Sequence, residues 1–216
     1  MILTVAAEWG GVLLFEHEAH EKHEKHEGTE GAKRKEEKQM TDMISAETVT
    51  QVWQDMARAS LDEIPRLVYQ MEAEQPVVLV YLAAVGSALF NPHEQEIIFY
   101  LGVAVWQMMK QSQRRLRKVT ERKLEQAEKA NFDFMERLSA SPEADLVSAT
   151  EAMLATYPEP EVLRYIIGAI NEEEDYDPDD PPIRDEYRGM AFVYLKTVLD
   201  AFVSSLAGAP RSRRRR

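Results

Sequence analysis

The chain has no cysteine, which excludes disulfides, thiolate metal sites and a cysteine nucleophile and fits a reducing compartment such as the cytoplasm. It also lacks an apolar run of about 20 residues, the length a membrane-spanning helix needs. The two long uncharged stretches, Val77–Phe90 and Ile97–Met109, are shorter and are interrupted between by Asn91, Pro92, His93, Glu94 and Glu96. Their length decides for a buried helical hairpin. Local catalytic motifs are missing too: there is no phosphate-cradling glycine loop, no Gly-x-Ser-x-Gly elbow and no dinucleotide fingerprint. The Glu-x-x-His pair of di-iron bundles does not occur, and no cofactor is expected.

Positive charge is outweighed. With 26 Lys and Arg against 38 Asp and Glu among 216 residues, the net charge is -12, so the whole molecule repels nucleic acid and anionic lipid and any such contact must be local. No repeat of constant period appears, which argues against a solenoid. No alternating strand pattern bounded by turns appears either.

What is there reads as helix. The first 43 residues stand apart: Glu16–Lys38 is almost wholly His, Glu, Lys, Gly and Arg, has nothing to bury and is expected to be disordered. A purine-rich coding run before Met40 or Met43 would resemble a ribosome-binding site, which predicts that synthesis starts at one of these methionines. Residues 44–208 form a single all-α domain, and 209–216 a basic tail. The expected architecture is an irregular bundle of about seven helices around the hairpin 77–109.

Ser45 caps a first helix to about Ala59, and Ser60 to Glu63 has capping-box spacing for a second through Met71. Asn91 and Pro92 open a helix with acids in its first turn, where the dipole favours them. No glycine or proline occurs between Val103 and Ser141, so the periodicity predicts one long helix over about 92–138. At about 70 Å it would outreach a body about 40 Å across and would have to project, bend or pack on another chain. A fifth helix spans Ser141 to about Thr156, a sixth Glu161 to Asn171, and a last one Ile183 to Ala207 with Gly208 as its stop.

Candidate sites are few. His17, His20, His23 and His26 stand at three-residue spacing, within reach of a shared divalent ion on a helix. The acidic loop Glu172–Glu186 places Asp175, Asp177, Asp179 and Glu186 near calcium-hand positions, although Asp180 before Pro181 occupies the place where such a loop needs glycine. Glu172, Glu173, Glu174 and Asp180 also offer a surface to a basic partner. On the long helix, Arg114, Arg115, Lys118 and Arg122 project to one face as a basic stripe, interleaved with acids that suggest Arg117–Glu121 and Glu125–Lys129 pairs. The tail Arg211–Arg216 is unpaired. His93 reads as a capping-region side chain, the aromatics as core filling, and Met108 and Met109 as an adaptable contact at the hairpin exit.

These features point first to a noncatalytic interaction or regulatory protein, acting on a protein partner and on itself as a homo-oligomer through the long helix and acidic loop. A nucleic-acid-associated protein using the stripe and tail comes second, and a metal-binding protein third. The start-site reading predicts that the native polypeptide, weighed intact by mass spectrometry, lacks residues 1–39; a mass that includes them would reject it.

Overall fold

A computed structural model describes residues 43–60, 62–84, 86–139, 152–171 and 183–207. Among these the fold is all helical: α1 (Ala46–Ala57), α2 (Glu63–Glu74), α3 (Pro76–Ala84), α4 (Pro92–Lys110), α5 (Glu121–Ser139), α6 (Pro160–Asn171) and α7 (Asp185–Ser205). Residues 152–156 add a helical segment ahead of α6. The expected all-α bundle is therefore what forms.

Helix α4 is the axis. Between Ile97 and Met109 it carries no charge, so no face can turn to water without exposing apolar surface, and α1, α2, α3, α6 and α7 all pack against it. Leu101, Ala104, Val105, Trp106, Met108 and Met109 are completely covered. The two methionines thus face the core, not a partner. Gly102 lets α3 approach: a Cβ there would sit 2.5 Å from the Leu82 methyls.

The starts of α1 and α4 follow their expected caps, and α2 does not. The Ser45 hydroxyl accepts from the Thr48 N–H at 3.3 Å, whereas α2 starts at Glu63, with Asp62 before it and no side-chain cap, and the Ser60 N–H donates to the Glu63 carboxylate at 2.6 Å. Asn91 and Glu94 form a complete capping box at the start of α4 with Pro92 at its first position.

Two expectations are corrected. The long helix over 92–138 is two helices: α4 stops at Lys110, and residues 111–120 turn the chain back so that α5 packs on α7. No glycine or proline marks this break. It is made by tertiary hydrogen bonds: the buried Gln75 side chain donates to the Arg117 carbonyl at 3.2 Å and accepts from the Val119 N–H at 2.9 Å. Leu116 also forms an isolated antiparallel bridge with Leu206. The ground for self-association through a projecting helix goes with the helix. For the same reason α7 ends at Ser205 and not at Gly208: Leu206 adopts an extended conformation to make the bridge.

The second correction concerns α3, which was expected to be enclosed on all sides like α4. Val78 and Leu82 are buried, but Val80 is 67% exposed and Ala83 and Ala84 also face outward. A nine-residue helix lying on the edge of the bundle has only one side covered.

The Gln75 amide makes a direct prediction. Gln75→Ala leaves the buried Val119 N–H without an acceptor and should cost about 1–3 kcal/mol, measured by urea unfolding, with faster amide exchange at Val119. Unchanged stability and exchange would show that the turn does not depend on it.

Candidate functional site

The open side of α3 faces the first half of α5 across a groove of about 470 Å³. Its walls are apolar, from Pro76, Val77, Val80 and Ala84 on one helix and Leu124 on the other, and its far rim is acidic, from Glu121, Glu125 and Glu128. The helix pitch explains the rim. Positions 121, 124, 125 and 128 recur at three and four residues and so share one face of α5. Glu128 accepts a hydrogen bond from the Tyr81 hydroxyl at 3.0 Å; burial, reinforced by that carboxylate, pushes the Tyr81 hydroxyl well above its ordinary range and keeps its proton in place. Glu121 and Glu125 are exposed and form no ion pair among the described residues. The expected pairs to Arg117 and Lys129 are not made, since Lys129 bonds Asp133 instead. Further apolar surface lies nearby: Phe132, 38% exposed, meets the Tyr194 ring at 6.1 Å, and Tyr194 meets Tyr81 at 6.3 Å.

The basic residues do not form a helical stripe. Arg114, Arg115 and Lys118 lie in the turn 111–120 and Arg122 in the first turn of α5. Arg114 is drawn inward to the fully buried Glu159 at 2.9 Å, whose other oxygen accepts the Ile44 N–H at 2.9 Å. It is thus a structural staple that closes the start of the domain onto the entry to α6. Arg115, Lys118 and Arg122 stay exposed.

Of the acidic loop, Glu186 is described: it is an exposed residue in the first turn of α7, with its carboxylate 3.9 Å from Arg184. Glu172, Glu173, Glu174, Asp175, Asp177, Asp179 and Asp180 lie outside the described residues, as do His17, His20, His23, His26 and the arginine tail. Among the described residues no group of three or more His, Asp or Glu could hold a metal ion. His93 is exposed at the start of α4, where the capping reading placed it.

Two polar clusters went unseen in the sequence. In the first, Glu94, 1% exposed, accepts from the Arg184 backbone at 3.0 Å and from its guanidinium at 2.9 and 2.8 Å, and also caps Asn91. Asn91 was legible as a cap and Glu94 as an acid in the first turn, but nothing local announces Arg184, 90 positions away. In the second, the Lys196 ammonium donates to Asn131 at 2.9 Å and to Asp200 at 2.7 Å. Asn131 donates to Thr197 and Asp200, and the Tyr157 hydroxyl donates to Asp200. These groups are spent on one another, so the cluster ties α5 to α7 and accounts for the polar Asn131 on an otherwise inward face.

A cleft of about 590 Å³ between α1, α2 and α4 is lined by Val52, Met56 and Leu67 together with Asp55, Arg58, Glu63 and Arg66. Its charges balance, so it favours no class of ion. The α3–α5 groove, apolar on its walls and of one charge sign at its rim, has the more selective chemistry.

The Glu94 clamp makes the domain sensitive to acid. Burial alone would raise the Glu94 carboxyl, but hydrogen bonds from Arg184 and Asn91 outweigh it and hold the group below its ordinary 4.5. A carboxylate lowered by folding contributes stability above its unfolded value and loses it as pH falls through the folded one. Chemical unfolding from pH 7 downward should therefore show stability dropping below about pH 4.5, and Glu94→Gln should be less stable at neutral pH with a flatter acid limb; an unchanged limb would remove Glu94 as the cause. Comparison with protein-family models, curated proteins and solved structures finds no match to this chain.

Proposed function

We propose that the chain is a noncatalytic interaction or regulatory protein of the cytoplasm, and that its docking surface is the α3–α5 groove in place of a projecting helix. The observation that supports this reading is the open side of α3. A helix without a single charged residue exposes Val80, Ala83 and Ala84 beside an acid-rimmed groove. Apolar surface of this kind, edged by polar groups, marks sites of protein association.

Charge complementarity selects the occupant. The rim carries Glu121 and Glu125, exposed and without ion pairs among the described residues, so the partner is a basic amphipathic helix: aliphatic anchors at three- and four-residue spacing enter between Val80, Ala84 and Leu124, and Lys or Arg on their flank meets the two glutamates. No described helix is long and apolar enough to cross a membrane, so the groove is not explained as a contact between membrane spans.

The test uses two fluorescent peptides of identical leucine pattern, one with lysine and one with glutamate on its polar face. The lysine peptide should bind the full chain and the glutamate peptide should not. Val80→Asp, at an exposed position, and Glu121→Lys with Glu125→Lys should each weaken binding by about tenfold or more, in line with the loss of an interface anchor or charge pair. Equal binding of both peptides, or indifference to these substitutions, would reject the groove.

A further inference from the structure

Helices α1 and α2 each pack on α4 more than on one another, and the space left between them is the cleft of about 590 Å³. Sites that enclose small molecules measure about 300–1,000 Å³. The floor of this one is apolar. Val52, Met56 and Ala59 recur at four and three residues along one face of α1, and Leu67 comes from α2.

The walls carry two carboxylates and two guanidinium groups. Asp55 and Arg58, and likewise Glu63 and Arg66, stand three residues apart, where opposite charges beside a helix can meet. None of the four forms an ion pair among the described residues. Asp55 accepts from the Gln51 amide at 2.8 Å through one oxygen, which leaves its second oxygen open, and Glu63 is turned to the Ser60 N–H. The two guanidinium groups have no hydrogen-bond partner among the described residues. A further donor is unsatisfied: the Gln107 side chain lines the cleft from α4, and its amide nitrogen is buried without an acceptor. Native proteins leave few buried donors in that state, and an oxygen atom of a ligand supplies what this one lacks.

Balanced charge excludes a simple ion and selects something else. An anion or a cation satisfies one pair of wall groups and faces the other with like charge, whereas a molecule that carries both charges meets both pairs. Helix α2 also begins on this wall without a side-chain cap, so its dipole favours the negative end of such a molecule near Arg66. We propose that the cleft between α1, α2 and α4 binds a small zwitterion with an apolar side chain, the chemistry of a free aliphatic or aromatic amino acid. The carboxylate bonds Arg58, Arg66 and the Gln107 amide, the ammonium bonds the open oxygen of Asp55, and the side chain rests on Val52, Met56 and Leu67. No residue of the α3–α5 groove takes part, and the two readings stand or fall separately.

The experiment is an NMR titration of the isotope-labelled full chain with L-leucine and L-phenylalanine, each beside its N-acetyl and its amide derivative, which lack one charge apiece. At least one of the two free amino acids should shift resonances of α1 and α2 with a dissociation constant of about 1 mM or tighter. Removal of either charge from it should weaken binding about tenfold or more, as loss of a charge-assisted hydrogen bond does. Arg58→Gln combined with Arg66→Gln should weaken it by a similar factor, and Asp55→Asn should abolish the preference for the free amino acid over its N-acetyl derivative. All three side chains are exposed, so circular dichroism should be unchanged, and Val80→Asp should leave this binding intact. The proposal is overturned by absence of shifts at about 10 mM of either amino acid, by equal affinity for the free and N-acetyl forms, or by binding indifferent to the arginine substitutions.

Discussion

Everything in this domain is arranged around a helix that can show no side to water. From Ile97 to Met109 helix α4 has no charged residue, and five other helices close over it. Its 19 residues make a rod of about 28 Å, so the cover and the rod end together. Lys110 marks the exit, with its ammonium 4.6 Å from the Trp106 ring centre and 3.6 Å from Glu74. Beyond that point a continued helix would leave the body, and burying more of the chain required it to turn. The turn is possible because its peptide groups find partners: Gln75 serves Arg117 and Val119, and the end of α7 serves Arg115 and Arg117. A buried backbone without them would not be tolerated.

This is also why the helical architecture was legible in the sequence and the break was not. Capping residues act within four positions of themselves, so Ser45, Asn91, Pro92 and Glu94 could be read directly. Periodicity likewise reports burial wherever a segment packs along its whole length, as in α4, α6 and α7. The break at 111–120 has no local signal, because the residues that cause it, Gln75 and Leu206, lie about 40 and 90 positions away. The absence of glycine and proline was evidence about propensity only, and tertiary hydrogen bonds overrode it. A related limit applies to α3. Uniform hydrophobicity shows that a helix prefers burial, but only the arrangement of its neighbours shows how much it obtains, and the half-open Val80 face of the groove could not be deduced from composition.

The candidate residues divide on the same principle. The basic run was visible as a run, but its projection onto a continuous helix was wrong because there is no helix at 111–120. Arg114 left the group altogether, since one buried carboxylate, Glu159, claims it. The acids of α5 were read as partners of the stripe, whereas Glu121 and Glu125 form part of a different surface, the rim facing α3. Helix α5 therefore separates two regions of opposite character: an acidic and apolar groove along one face, and unrelieved cations at its start. The Lys196, Asn131 and Asp200 cluster locks that helix to α7, so the two regions are held on one rigid support.

The path of the chain just after α7 depends on two peptide hydrogen bonds. Had α7 continued past Ser205, each added residue would have carried the chain about 1.5 Å further along the helix axis and away from the turn. Leu206 is instead extended, with φ -62° and ψ 133°, and the helical bonds given up at this end are replaced by those between Ala207 and Arg115 and between Arg117 and Ser205. The exchange is close to neutral for the backbone, which has partners either way. It fixes Leu206 and Ala207 against the turn 111–120, beside the exposed Arg115, Arg117 and Lys118.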